Sequence, residues 1–221
     1  MTRRSRLLTT ATAGVAAALL LAGCGGGDGG SSKSNDKIAG ADTGASASAS
    51  PSASATSADT AGRPKITFPS DAKNVFEDAK TGDATKDAVL ADSALGVNSV
   101  DEAIFKGSTG TKALGFYHSG KALESSITYV QGFIDDSDTW IGEIRFFDRK
   151  VTLSGAKQAY VTYCSDESKA FVKNKKTKKV DRNSATSNSY VLYHTVLTKN
   201  ADGVWQTTDI VSNRGDKACQ P

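Results

Sequence analysis

The chain has 221 residues, a formal net charge of +3 and 23% charged residues. Removing residues 1–23 takes away Arg3, Arg4 and Arg6 and no acid, so the remaining chain is formally neutral. A balanced chain of this kind lacks the basic surface that nucleic-acid binding requires, and nucleic acid is excluded as a partner.

In chain order, Arg3, Arg4 and Arg6 precede an uncharged run from Leu7 to Ala22 that is dense in alanine and leucine. A positive segment, an apolar segment of sub-membrane length and small residues at its end form a secretory signal. The end reads Leu21-Ala22-Gly23-Cys24, a lipobox rather than an Ala-x-Ala site. The expectation is a lipoprotein signal over residues 1–23 with a diacylglyceryl group on Cys24. Two acyl chains anchor a protein stably where one does not. The predicted location is therefore the outer face of the cell membrane, with the membrane itself as a partner through Cys24. The route of export, general secretory or twin-arginine, stays open, because Arg6 stands where the twin-arginine motif favours an apolar residue.

Residues 24–63 begin with the lipidated cysteine and continue as a Gly/Ala/Ser tract that includes Ala45-Ser46-Ala47-Ser48-Ala49-Ser50. Such a composition cannot bury enough apolar surface to offset its ordering entropy. The tract reads as a disordered tether with an end-to-end distance of roughly 35 Å.

Residues 64–221 are long enough for one domain with its own core. Ser70 is placed to cap a helix with Ala72, Val75, Phe76 and Ala79 on one face. A second helix is predicted from about Ala84 to Leu95. Ser99-Val100-Asp101-Glu102 reads as a capping box opening a third, short helix. Gly107 to Gly110 breaks the pattern. Phe116, Gly120, Leu123, Ile127, Val130 and Ile134 recur at helical spacing and predict one long helix running through Gly120.

From Thr139 the period changes to two. Strands are predicted around Trp140 to Phe146, over Gln158 to Cys164, over Ser189 to Lys199 and over Val204 to Ser212, with Asn200-Ala201-Asp202-Gly203 as a tight turn. Helices followed by strands define an α+β class: N-terminal helices packed in a strongly curved antiparallel sheet.

Cys164 and Cys219 remain after Cys24 is assigned to lipid. In an oxidising compartment they read as a disulfide fastening the C-terminal tail to the sheet, against the alternatives of two free thiols or a metal site. A metal site needs further ligands, and neither CxxC nor HExxH occurs. No cofactor is expected.

Phe116-Tyr117-His118-Ser119-Gly120, Ala159-Tyr160-Val161-Thr162-Tyr163-Cys164-Ser165-Asp166, Asp202-Gly203-Val204-Trp205 and the terminal Cys219 resemble a set of secreted actinobacterial lipoproteins with a nuclear transport factor 2-like (SnoaL-like) domain. The resemblance implies a cone-shaped fold with a pocket in its mouth and implies no single activity. The wider fold includes ketosteroid isomerases, SnoaL-type cyclases and proteins that only bind or assemble.

Three functional readings are open. The first is a binding or interaction module of the cell envelope, holding a small ligand or an envelope protein. The second is an isomerase- or cyclase-type enzyme using the pocket, with His194 or a pocket carboxylate as base. His194, Tyr190 and Trp140 are the candidate pocket residues, His194 sharing a strand face with Tyr190, Leu192 and Val196. The third is a binder of anionic wall polymers through Lys173, Lys175, Lys176, Lys178 and Lys179 on an inter-strand loop. His118, beside a helical glycine, reads as a core histidine. Asp135, Asp136 and Asp138 read as a solvated helix end, since the alternation of a calcium loop is out of register. No catalytic residue is assigned.

Overall fold

A computed structural model describes residues 62–77 and 80–221. The signal segment, Cys24 and nearly all of the tether lie outside the described residues. What is described is α+β: a six-stranded sheet and three α-helices.

The first element is a strand, not the helix that Ser70 was expected to cap. β1 (Ala72–Phe76) pairs parallel with β2 (Asp138–Ser154), from Ala72 opposite Gly142 to Phe76 opposite Phe146. Ala72, Val75 and Phe76 suit either period, and so short an apolar run does not decide between helix and strand. The partner decides it: Phe76 stacks on Phe146 at 4.7 Å between ring centroids. Ala79, the last residue of the expected helix, lies outside the described residues.

α1 (Ala84–Lys106) merges the two helices expected on either side of Leu95. Asp83 caps it, accepting from the backbone N–H groups of Thr85 at 2.8 Å and Lys86 at 3.1 Å. Gly107 closes it in the left-handed conformation that glycine adopts without strain. Ser99 does not cap a helix. It lies inside α1, fully buried, with its hydroxyl donating to the Gly96 carbonyl at 2.7 Å.

The long helix expected through Gly120 is two. α2 (Lys112–Tyr117) and α3 (Gly120–Asp135) are separated by His118 and Ser119, both extended. The break is held from the sheet, because the Ser119 N–H donates to the Thr207 carbonyl at 3.0 Å. Gly120 has φ +56°, a left-handed conformation that glycine adopts without strain, so it serves the break.

β2 and β3 (Gln158–Asn174) form a long antiparallel ladder interrupted between Glu143 and Arg145 and between Phe147 and Lys150. Such irregularities bend a strand and raise its twist. β5 (Tyr190–Lys199) pairs with β3, and β6 (Trp205–Arg214) with β5, giving the order β1-β2-β3-β5-β6, with the two-residue β4 (Val180–Asp181) on β3.

Two apolar clusters fill the space between helices and sheet. One joins Val89 and Leu90 of α1 to Phe146, Val161, Leu197 and Trp205. The other joins Ala103 and Ile104 of α1 to Leu114, Val130 and Trp140. A single helix therefore serves both clusters, and between them its buried face carries Ser93, Ser99, Asp101 and Glu102. Cys164 and Cys219 form a disulfide with Cα atoms 5.5 Å apart, which fastens the C-terminal turn to β3 as expected.

Candidate functional site: a cavity between helices and sheet

Between the two clusters lies a cavity of about 320 Å³. Ser93, Val97, Val100 and Asp101 of α1 line it. Their spacing puts them on one face of the helix. The sheet contributes Ile144 and Phe146 from β2, Tyr163 and Glu167 from β3, and Tyr193 and Thr195 from β5. α3 adds Ser126 and Tyr129, and His118 reaches in from the break between α2 and α3. β6 adds Thr207 and Arg214.

Among the described residues, Asp101 is the one acid of the wall held by neutral donors alone. Its Oδ2 accepts from Asn74 Nδ2 at 2.7 Å and its Oδ1 from Trp140 Nε1 at 3.1 Å. Burial disfavours its charged form and pushes its pKa up to about 7, against the two hydrogen bonds that favour the carboxylate. Glu167 is placed differently. It accepts from Arg214 Nη1 at 2.7 Å, an ion pair at the cavity wall.

His118 is 4% exposed. Burial depresses its pKa to about 4, so the imidazole is neutral near pH 7. Its Nδ1 lies 3.4 Å from Ser99 Oγ. That serine already donates to the Gly96 carbonyl, so Ser99 and His118 do not form a nucleophile–base pair. The rings of Tyr163 and Tyr193 stack at 4.8 Å, and burial raises the pKa of both hydroxyls. The cavity thus presents aromatic rings, neutral hydroxyls, a neutral imidazole, the carboxyl of Asp101 and the Glu167–Arg214 ion pair.

The residues expected in the pocket are mostly elsewhere. His194 is exposed on the opposite face of β5, with Tyr190 half-buried on that same face. The alternation along β5 is real, but its inward members are Val191, Tyr193, Thr195 and Leu197. Both faces carry large apolar residues, so periodicity could not say which one turns inward. Trp140 is buried in the second cluster and reaches the cavity only through its hydrogen bond to Asp101.

The lysine run is partly consumed within the fold. Lys173 pairs with Asp71 at 3.1 Å and Lys179 with Asp181 at 2.9 Å. Lys175 Nζ donates to the Ile104 carbonyl at 2.6 Å, where a cation favours the C-terminal end of a helix. Lys176 and Lys178 belong to the exposed turn before β4. Asp135 and Asp138 accept side-chain hydrogen bonds from Gln131 and Asn174.

Asp101, His118 and the Glu167–Arg214 pair were missed as site residues. A signal for Asp101 was present: Ser93, Val97, Val100 and Asp101 follow helical spacing, and an acid in such a stripe is unusual.

No family model matches this chain, and no curated protein matches it. Some solved structures do. A putative ketosteroid isomerase from Shewanella frigidimarina is 14% identical, covering 59% of this chain and 98% of its own, with a TM-score of 0.32. A ketosteroid isomerase-like protein from Erwinia carotovora atroseptica is 15% identical, covering 55% and 92%, with a TM-score of 0.35. The intermembrane space region of the chloroplast protein ARC6 is 12% identical, covering 61% and 99%, also at 0.35. At these scores the likeness carries no argument about activity.

Proposed function

We propose that this chain is a lipid-anchored lipoprotein on the outer face of the cell membrane, and that its nuclear transport factor 2-like domain is a module that binds a small ligand in the cavity. The lipobox at Cys24 and the Gly/Ala/Ser tether support the location. The cavity carries the ligand reading: a space of about 320 Å³, walled by rings and by a few buried polar groups, has the make-up of a small-molecule site.

Two measurements test it. In a bacterial host that processes lipoproteins, the chain takes up labelled palmitate and fractionates with membranes, while Cys24→Ser does neither; labelling that persists in the variant refutes the anchor. Native mass spectrometry of protein recovered from the envelope shows a retained small molecule that Ser126→Phe, which fills the cavity, abolishes. Retention by the filled variant refutes the cavity as the site.

A second reading, an isomerase- or cyclase-type enzyme, is favoured by one observation. Asp101 titrates near neutrality at the cavity wall, where a general base must sit. Turnover that Asp101→Asn abolishes without loss of fold would decide for it.

A further inference from the structure

The cavity has an incomplete charge balance. Its wall carries Asp101, Glu167 and Arg214, and the last two neutralise each other at 2.7 Å. Asp101, 8% exposed, is left with the Asn74 amide and the Trp140 indole, neither of which brings charge. A buried carboxylate without a cation is costly and resolves the cost by taking a proton or by meeting a cation.

Among the described residues, the one cation on the wall is Arg214, which Glu167 takes, and Arg149, whose charge reaches Tyr163, lies outside the wall and donates to the Leu90 carbonyl. Among the described residues, the titratable and charged groups on the same wall are Tyr163 and Glu167 from β3, Tyr193 from β5, Arg214 from β6, Tyr129 from α3 and the neutral His118. Asn74, which holds Oδ2, also donates to Asn98, an uncharged residue of α1. Beside the aliphatic Val97, Val100 and Ile144 and the hydroxyls of Ser93, Ser126, Thr195 and Thr207, the wall is aromatic. Phe146 lies edge-on to Tyr163 at 6.0 Å, and Tyr163 stacks on Tyr193. Aromatic rings attract cations through their quadrupole, the more so where water is excluded.

We propose that the cavity takes a small organic monocation, an amine or quaternary ammonium on an apolar body, with Asp101 as its counter-ion and Phe146, Tyr163 and Tyr193 as its wall. The inference rests on the reading of the cavity as a ligand site. A monocation brings the wall to neutrality and returns Asp101 to its ionised form, so binding releases a proton near neutral pH. A neutral ligand bearing a carbonyl would use protonated Asp101 as a donor and would show the opposite pH dependence.

The test uses the chain from residue 24 onward with Cys24→Ser, which keeps every described residue. Benzyltrimethylammonium and its uncharged isostere neopentylbenzene are titrated by NMR at about pH 5.5 and about pH 8.5. The quaternary cation cannot itself titrate. With Asp101 titrating at about 7, its affinity rises roughly thirty-fold between the two conditions, because the ionised fraction rises by that factor. The isostere is expected to show no pH dependence, and Asp101→Asn to remove the pH dependence of the cation. If the isostere binds as tightly as the cation at both conditions, or tighter at the lower pH, the cation is overturned while the cavity remains a ligand site. If neither probe enters, both readings fail. Should Asp101→Asn fail to fold, the two probes on the unsubstituted cavity still decide.

Discussion

Asp101 and His118 sit on one cavity wall and are both driven uncharged by burial, with opposite consequences for stability against pH. His118 has an ordinary pKa of 6.5, depressed to about 4 in the fold. Between those values the unfolded chain holds the extra proton, so this contribution is fully stabilising above 6.5 and is lost as pH falls toward 4. Asp101 has an ordinary pKa of 3.8, raised to about 7. Between those values the folded chain holds the extra proton, so this contribution is fully stabilising below 3.8 and is lost as pH rises through about 7. Each contributes a slope of about 1.4 kcal/mol per pH unit, of opposite sign, across the shared window from about 4 to 6.5. Together they cancel. His118→Gln removes one slope, so its stability relative to the unsubstituted chain falls by about 3 kcal/mol as pH rises across that window. Asp101→Asn removes the other and gains about 3 kcal/mol over the same span. The double variant again runs parallel to the unsubstituted chain. Urea unfolding of the oxidised protein at several pH values, extrapolated linearly, gives these slopes independently of the constant packing cost of each substitution. Variants whose stability differences do not change with pH would refute the claim that burial holds these two groups uncharged.

Three further outcomes are expected. Gly142 has φ +101° on β2, and a Cβ there would collide with the Lys169 carbonyl of the paired strand; Gly142→Ala is expected to cost more than about 3 kcal/mol, read as a drop in melting temperature. Changing both Cys164 and Cys219 to serine opens a separation of 55 residues and is expected to cost about 4 kcal/mol on the chain-entropy account, with the unsubstituted protein losing a similar amount on reduction. Asp92, 3% exposed, takes Arg63 on both oxygens and the backbone N–H of Trp205 at 2.8 Å; Arg63→Ala strands that carboxylate and is expected to cost about 3 kcal/mol in urea unfolding, and a loss below about 0.5 kcal/mol would mean that the pair behaves like a surface one.

The change from helices to strands was legible because it rests on a change of period, and period is set by backbone geometry alone. The errors fell where a neighbour distant in sequence overrules the local pattern. β1 is a strand because β2 offers it hydrogen bonds and Phe146 offers it a ring. Ser99 looks like a cap because its own neighbours in sequence suit one; what continues the helix through it is the burial of both flanks, Leu90 against one cluster and Ile104 against the other. The break at His118 depends on the Thr207 carbonyl, which comes from β6.

The site was harder to read than the fold for the same physical reason, carried further. A periodic pattern tells which residues share a face but not which face turns inward, and β5 carries apolar side chains on both, so the face of His194 was expected at the pocket where the face of Tyr193 stands. What marks the cavity is a mismatch between a residue and its surroundings. Asp101 is an acid among Val97, Val100, Trp140 and Phe146, and such a mismatch exists only once β1 brings Asn74 and β2 brings Trp140 to its two oxygens. Those two donors fix the carboxyl in place without neutralising it. A buried side chain held by two neutral donors and short of a counter-charge is poorly explained by stability, since apolar residues of similar volume commonly serve a core as well or better. Its presence on a cavity wall is what gives the cavity a chemical preference, and that preference is what the pH-resolved binding of a cation and its uncharged isostere measures.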